Sequence, residues 1–336
     1  MRFPVAALAA VAVSCVSAPP PPNASTPPAD ITPQVVAAPV PQPPPRAQTP
    51  PEPVIDVEAT SLLGKPLIRP ALPADLEKQR EDELAAARRD YDANPDNADA
   101  IIWLGRRLAY LGRYREAIDV FSEGIRKNPN DARLYRHRGH RSITLRRFKD
   151  AQNDLEKAAS LVKGKPDEVE PDGLPNARNI PLSSLQSNIY YHLGLAYYLQ
   201  GDFDRALRAY QRCLQLAKNA DRLVSTSNWL YMTLRRMGRP KDADIVLEPI
   251  STSMDVIENV AYHKLLLMYD GDIAPEELAQ QDVTTTDGAT ILYGIGNWYF
   301  YNGEPEKAWP LWQRIIDANN WSAFGAIAAE SELARR

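Results

Sequence analysis

The sequence predicts an all-α fold, an α-solenoid of stacked helix-turn-helix pairs. Two regularities predict it. In five places an alanine follows a glycine or tyrosine by twelve positions, and a large apolar residue stands four positions after that alanine. Glycine also stands five positions before the alanine in four of the five copies. The pairs are Gly105 and Ala117, Gly139 and Ala151, Gly194 and Ala206, Tyr231 and Ala243, and Gly296 and Ala308.

Each regularity has a physical reason. A small residue late in one helix lets the next helix approach closely, and the four-residue spacing places side chains on one helical face. Glycine ends the first helix because it adopts the left-handed conformation without a steric penalty. The stretch WLGRRLAYLGRYREAIDVFSEGIRKNP, residues 103–129, shows nearly the full set, and Pro129 stops its second helix.

These residues resemble the tetratricopeptide repeat family, whose unit is a pair of helices in 34 residues. The first two alanines are 34 positions apart, and the later gaps are 55, 37 and 65. The resemblance is loose in the fourth unit, at Tyr231 and Pro240. It implies an array over residues 74–336 that begins with a lone helix near 76–97. The predicted units lie near 98–131, 132–165, 187–220, 224–257 and 289–322, with a degenerate unit at 258–286 and a closing helix at 322–335.

The N-terminus predicts export. Residues 1–14 carry one basic residue, Arg2, followed by an apolar run that is too short to span a bilayer. The tetrapeptide Ala12-Val13-Ser14-Cys15 resembles the lipobox of bacterial lipoproteins, which implies a lipid anchor on Cys15. The alternative is ordinary cleavage after residues 16–18, directly before a proline. Because Val16 is not aspartate, the resemblance favours a periplasm-facing protein anchored in the outer membrane.

Residues 15–73 are predicted to be a proline-rich disordered linker. Between Pro19 and Pro53, 15 of 35 residues are proline, half of the 30 in the chain. Such a composition favours extended polyproline II, at about 3.1 Å per residue. The linker would then hold the helical array on the order of 100 Å from the membrane. Cys213 is the only cysteine besides Cys15, so no disulfide within the array is expected.

The segment RLYRHRGHRSITLRR, residues 133–147, contains six arginines and two histidines. Nucleic-acid binding is disfavoured because the isoelectric point is about 5.7. A metal at His137 and His140 is disfavoured because no acidic or thiol ligand accompanies them. The repeat register places Arg136 and His140 on the concave side. It places the aliphatic stem of Arg138 against the core, with the guanidinium in water. Arg141 is predicted to point outward, and Arg146 and Arg147 are predicted to lie in the turn.

The same register predicts a concave groove that is basic at its start and aromatic further on. Arginine and aromatic residues carry most of the energy at protein interfaces. The predicted partner-binding residues are Arg106, Tyr110, Arg133, Arg136, His140, Tyr191, Leu195, Tyr198, Asn228, Met232, Arg235, Tyr293, Asn297 and Phe300. The asparagines with which some family members hold a terminal carboxylate are replaced by Arg106, His140 and Leu195, so that clamp is not predicted.

Residues 164–184 form a long insertion, which we name the acidic loop. It carries Asp167, Glu168, Glu170 and Asp172, and it follows the arginine-rich unit directly. Long loops in compact arrays are usually functional or disordered. We expect the acidic loop to lie against Arg133, Arg136 and their neighbours and to compete with an acidic partner.

The sequence contains no motif for a catalytic nucleophile, a metal or a phosphate-binding loop. It therefore predicts a non-catalytic protein-protein interaction scaffold of the bacterial cell envelope, without a cofactor. The partner would be a protein or peptide with acidic and apolar residues. Nucleic acid would not bind. The protein would contact the membrane only through its lipid anchor. The alternatives are a soluble periplasmic accessory subunit of a secreted enzyme or glycan system, and an intracellular regulator whose N-terminus has been misread.

Overall fold

The computed structural model describes residues 56–336. The export signal, Cys15 and the proline-rich part of the predicted linker lie outside the described residues. Two strands come first, β1 (Val57–Thr60) and β2 (Pro66–Ile68). The helices of the first three units and the helix before them are α1 (Ala74–Ala93), α2 (Ala98–Tyr110), α3 (Tyr114–Lys127), α4 (Ala132–Thr144), α5 (Phe148–Val162), α6 (Leu185–Leu199) and α7 (Phe203–Gln215). The remaining helices are α8 (Ala220–Arg236), α9 (Pro240–Leu247), α10 (Val260–Asp270), α11 (Pro275–Leu278), α12 (Thr286–Tyr301), α13 (Pro305–Asp317) and α14 (Phe324–Ala334).

The predicted helix pairs are present. The turn residue of each of the five regular units has a positive φ, namely Gly112, Arg146, Gly201, Gly238 and Gly303. Arg146 adopts this conformation, at φ 62°, although it is not glycine. The degenerate unit consists of α10 and the four-residue α11. No described helix is long and apolar enough to cross a lipid bilayer.

The glycine twelve positions before an alanine allows close contact between the two helices of a unit. A Cβ on Gly194 would lie 2.6 Å from the Cε1 atom of Tyr210, and one on Gly105 would lie 2.4 Å from the ring of Phe121. Both aromatic rings are fully buried. Each ring therefore packs directly against the backbone of the facing helix.

Replacing Gly194 with alanine should lower the free energy of unfolding by about 1–3 kcal/mol, because the added methyl forces the buried Tyr210 ring to move. Urea denaturation measures this change. Gln211→Ala, on the exposed face of the same helix as Tyr210, is the control and should change stability by less than about 0.5 kcal/mol. Equal stability of the two variants would contradict the proposed close packing.

The predicted linker, residues 15–73, includes residues at its C-terminal end that are folded. Residues 57–68, which the sequence analysis assigned to it, form an antiparallel hairpin that packs on the helices, so the described fold is not purely α. The Glu58 carboxylate accepts a hydrogen bond from the Arg115 backbone N–H at 2.8 Å, near the start of α3. Leu67 joins the apolar cluster around α2 and α3. Each strand has at most four residues, which is too short for a visible alternation.

The C-terminal end of the array contacts its first two units. The Trp321 ring packs edge-on against Tyr114 at 5.5 Å and lies in the apolar cluster of α2 and α3. The indole N–H of Trp321 donates to the Ile68 carbonyl of the hairpin at 2.8 Å. Phe324, at the start of α14, lies 5.4 Å from the ring of His140. We name Trp321 and α14 together the closing segment, because they close the repeat array onto its own beginning.

Candidate functional site

Much of the predicted concave groove is covered by the chain itself, and the closing segment contacts it at His140, Tyr191 and Tyr293. Eight of the fourteen predicted groove residues are buried, namely Arg136, Tyr191, Leu195, Tyr198, Asn228, Met232, Tyr293 and Asn297. The other six are partly exposed, namely Arg106, Tyr110, Arg133, His140, Arg235 and Phe300. The predicted groove is therefore largely covered in its aromatic part, where only Arg235 and Phe300 of the predicted residues stay partly exposed.

Side chains from distant helices bond to one another in this covered half. Tyr293 and Asn297 of α12 both donate to the Tyr198 hydroxyl of α6, at 2.9 and 2.7 Å. The Arg236 guanidinium pairs with Glu332 of α14 at 2.7 Å. Burial raises the pKa of the Tyr198 and Tyr293 hydroxyls, which keeps both protonated as donors or acceptors. These groups stabilise the closed array and are not available to a partner.

Most of the arginine-rich segment is neutralised internally. Arg133 pairs with Asp131 at 2.6 Å and with Asp99, rather than with the acidic loop. The Arg138 guanidinium forms two hydrogen bonds with Asp154, and the side chain stays partly exposed. Arg147 is exposed.

Arg141 and Arg146 also differ from expectation. Arg141 was predicted to point outward, but it lies over the Tyr114 ring at 5.5 Å and bonds to the His140 ring. Arg146 occupies the predicted turn, yet its guanidinium is buried against Glu330 at 2.7 Å. Sequence register cannot reveal the contact of Arg141 with Tyr114 or that of Arg146 with Glu330, because both partners come from other units of the array.

Three of the four histidines lie together at the centre of the closed array. The rings of His140 and His192 are 4.3 Å apart, and His137 stacks on Phe121 at 5.5 Å. Burial, and after it the neighbouring arginines Arg136 and Arg141, hold the pKa of each of these histidines well below its usual range. The rings are therefore neutral. No group of three or more histidine, cysteine or acidic side chains in residues 56–336 is arranged to hold a metal ion.

One part of the concave side stays open, as a cavity of about 450 Å³ that we name the loop cavity. It lies between the acidic loop, the N-terminal halves of α6, α8 and α12, and the closing segment. Four predicted groove residues line it, namely Arg106, Tyr110, Arg136 and Tyr191. Sequence reasoning missed Arg222, Tyr262 and Phe324, which also line it. The predicted groove positions of α8 begin at Asn228 and do not reach Arg222, and nothing local places Phe324 there.

The deep end of the loop cavity binds a carboxylate. Glu170 of the acidic loop pairs with Arg136 at 3.0 Å and accepts a hydrogen bond from the Asn188 amide at 3.1 Å. Arg222 donates to the other end of that amide, the Asn188 Oδ1, at 2.8 Å and therefore fixes its orientation. The Arg222 guanidinium lies 5.4 Å from the Tyr191 ring. The cavity thus combines fixed cationic donors with aromatic walls, which suits an extended peptide carrying an acidic side chain.

The acidic loop lies partly where it was expected. Arg106 donates to the Pro171 carbonyl at 2.9 Å and Arg107 to the Gly173 carbonyl at 3.2 Å. Asp167 faces the start of α6 instead, where it accepts from the Gln186 backbone at 2.9 Å. The loop therefore covers the cavity with Glu170 and its backbone, while Asp167 organises a helix end.

Comparison with known proteins supports the repeat assignment. Residues 98–141 and 187–219 each match a family model described as tetratricopeptide repeat. The BBSome complex member BBS4 of Bos taurus is 26% identical to this chain over 141 residues. The aligned residues make up 42% of this chain and 23% of that protein. The Mus musculus protein of the same name is 26% identical over 139 residues, and the match covers 41% of this chain and 22% of that protein. The match thus spans less than a quarter of either relative.

Two solved structures are also similar to this chain. The crystal structure of YrrB, described as a tetratricopeptide repeat protein with an unusual peptide-binding site, is 18% identical. The alignment covers 69% of this chain and 92% of the YrrB chain, at a TM-score of 0.40. A crystal structure of MamA is 17% identical and aligns with 60% of this chain and 98% of its own, at a TM-score of 0.39.

Proposed function

We propose that this chain, which carries tetratricopeptide repeats, is a non-catalytic protein-protein interaction scaffold of the bacterial cell envelope, and that its partner binds at the loop cavity. One observation carries the proposal. The loop cavity is the place where the concave side remains open, and Arg106, Arg136 and Arg222 line it beside tyrosines. Its volume of about 450 Å³ falls in the range that binding pockets occupy.

The chemistry of the loop cavity indicates the kind of partner. Arginine guanidinium groups bind carboxylates through paired hydrogen bonds, and tyrosine rings bury apolar area at low entropic cost. Leu174 of the acidic loop lines the cavity and is exposed, so it extends this surface outward. An extended segment with acidic and apolar residues fits both features.

The envelope location rests on the N-terminal sequence. A lipid on Cys15 and a polyproline II linker would place the array in the periplasm at a distance from the membrane. Cys15→Ala should abolish metabolic acyl labelling and move the protein from the detergent phase to the aqueous phase in a Triton X-114 partition. Unchanged labelling and partition would contradict the lipid anchor and favour the soluble accessory subunit.

Site-specific photocrosslinking in the envelope tests the binding surface. p-Benzoyl-L-phenylalanine at Leu174, which lines the loop cavity, should crosslink a partner protein. The same group at Ile245 of α9, which does not line the cavity, is the control, since the two side chains are similarly exposed at 52% and 59%. Equal crosslinking from both positions, or none from Leu174, would contradict binding at the loop cavity.

A further inference from the structure

Glu170 differs from the other charged residues of the acidic loop because it is buried. Its exposed fraction is 9%, whereas Val169 and Leu174 on the same loop are 67% and 52% exposed. The loop therefore buries this acidic side chain together with Leu182, and leaves its other three large apolar side chains, Val169, Leu174 and Ile180, in water. A folded loop that served stability alone would bury the apolar groups, since a buried carboxylate is tolerated only when it is fully paired.

The groups that pair Glu170 belong to the repeats. Arg136 is on α4 and Asn188 is on α6, and Arg222 of α8 orients Asn188. Arg136 is itself 8% exposed, so its charge lies at the bottom of the cavity. The carboxylate site is thus built by three repeat units, and the loop supplies the anion that occupies it.

The site offers more donors than the loop uses. The Nε atoms of Arg136 and Arg222 are buried and have no hydrogen-bond partner among the described residues. Unpaired buried donors carry a cost that a better-fitting acceptor would remove. An acidic segment with one more acceptor than Glu170 would therefore bind this site better than the loop does.

The contacts that hold the loop over the cavity are mainly polar. Asn219 donates to the Leu182 carbonyl at 2.9 Å and Gln186 to the Lys165 carbonyl at 2.8 Å. Arg178 of the loop pairs with Asp255. Glu170 and Val169 form a short backbone bridge with Ser183 and Ser184, and two arginines bond to loop carbonyls. Leu182 is the buried one of the four large apolar side chains of the loop, and segments that bury few apolar contacts open at low free energy. The loop can therefore leave while the repeats stay folded.

We infer that the site formed by Arg136, Asn188 and Arg222 binds an acidic side chain of a partner's extended segment, and that Glu170 occupies this site in the free protein. The acidic loop is then an intramolecular competitor that the partner displaces. This inference rests on the proposed function and names the regulation of the same cavity. Weakening the hold of Glu170 should raise the affinity for acidic peptides, because the competent open state is then populated without a ligand.

The loop sequence itself provides the probe. A fluorescent peptide with the sequence of residues 168–175, EVEPDGLP, is titrated into the full chain and followed by anisotropy. Glu170→Gln should bind it at least about tenfold more tightly than the wild type does. The same variant should bind the peptide EVQPDGLP, in which glutamine replaces the central glutamate, at least about tenfold more weakly than EVEPDGLP.

Glu168→Gln is the matched control. It removes the same charge from the same loop, but the Glu168 side chain is exposed, so peptide affinity should equal that of the wild type. Glu170→Asp keeps the charge and shortens the reach by one methylene. It should bind the peptide with an intermediate affinity, and it provides a folded variant if Glu170→Gln melts early. Equal affinity of wild type, Glu170→Gln and Glu170→Asp, or no preference between the two peptides, would overturn the inference.

The two proposals fail differently. If Leu174 crosslinks an envelope partner and Glu170→Gln changes no affinity, the scaffold function stands and the competition by the loop is wrong. If the peptides behave as expected and no protein is crosslinked, the carboxylate site stands and the scaffold function is wrong.

Discussion

Glu330→Gln should lower the free energy of unfolding by about 3–5 kcal/mol, the largest effect expected for a single substitution in this chain. Glu330 of α14 is 3% exposed and accepts from the Arg146 Nη2 at 2.7 Å, from the Arg146 Nε at 3.1 Å and from the Leu62 backbone N–H at 2.6 Å. The substitution leaves the buried Arg146 charge without its partner. Urea denaturation followed by circular dichroism gives the change.

Two further variants make this prediction specific. Arg205→Gln breaks a surface pair with Asp202 and should cost less than about 1 kcal/mol. The double variant Arg146→Met with Glu330→Leu should lose less stability than Glu330→Gln, because no buried charge remains unpaired. A cost below about 1 kcal/mol for Glu330→Gln would show that α14 is not anchored at Arg146.

Lowering the pH from 7.5 to 5.5 should destabilise the fold by about 4 kcal/mol through His137, His140 and His192. Burial holds the pKa of all three below the usual value, so they stay neutral in the folded state. In the unfolded chain they take up protons below about pH 6.5. The unfolded state then binds more protons, and stability falls as the pH falls, by about 1.4 kcal/mol per histidine at pH 5.5.

The charged groups around the three histidines do not reverse this loss of stability at low pH. Arg136, Arg141, Arg106 and Arg222 all disfavour a protonated ring, and Glu170, 3.8 Å from the His137 ring, is already paired with Arg136. Burial raises the pKa of the carboxyls of Glu58, Asp154 and Asp172, which favours the folded state as the pH falls. The ordinary pKa of aspartate and glutamate carboxyls lies below the interval from pH 5.5 to pH 7.5.

A substitution tests this assignment. His140→Gln removes one titrating ring, so the loss between pH 7.5 and pH 5.5 should shrink by about a third. Chemical denaturation at the two pH values measures both losses. A stability that does not change between pH 7.5 and pH 5.5, or an equal loss in His140→Gln, would contradict neutral rings in the folded state.

The sequence was sufficient for the helix pairs because their determinants are local. The turn residue, the small residue and the alanine of one unit lie within about twenty positions, and each restricts one neighbouring helix. Even the irregular unit, α10 and α11, was predicted from its own helical pattern. The positive φ at Arg146 follows from the register alone.

The sequence was not sufficient for the closure of the array. The bonds from Arg146 to Glu330 and from Trp321 to the hairpin join residues separated by 184 and 253 positions. Curvature accumulates over the repeats and their insertions, and no local pattern states where the last helix lies relative to the first. For the same reason, four residues of the loop cavity were predicted and Phe324 was not.

Hydrogen exchange of the α14 amides tests the central claim, that the array closes onto its own beginning. An eleven-residue helix at the end of an open array would fray and exchange quickly. In the closed array, the amides of residues 328–332 should exchange as slowly as those of α6, because Glu330 and Glu332 are bonded to Arg146 and Arg236. Exchange of these amides orders of magnitude faster than in α6 would contradict the closure.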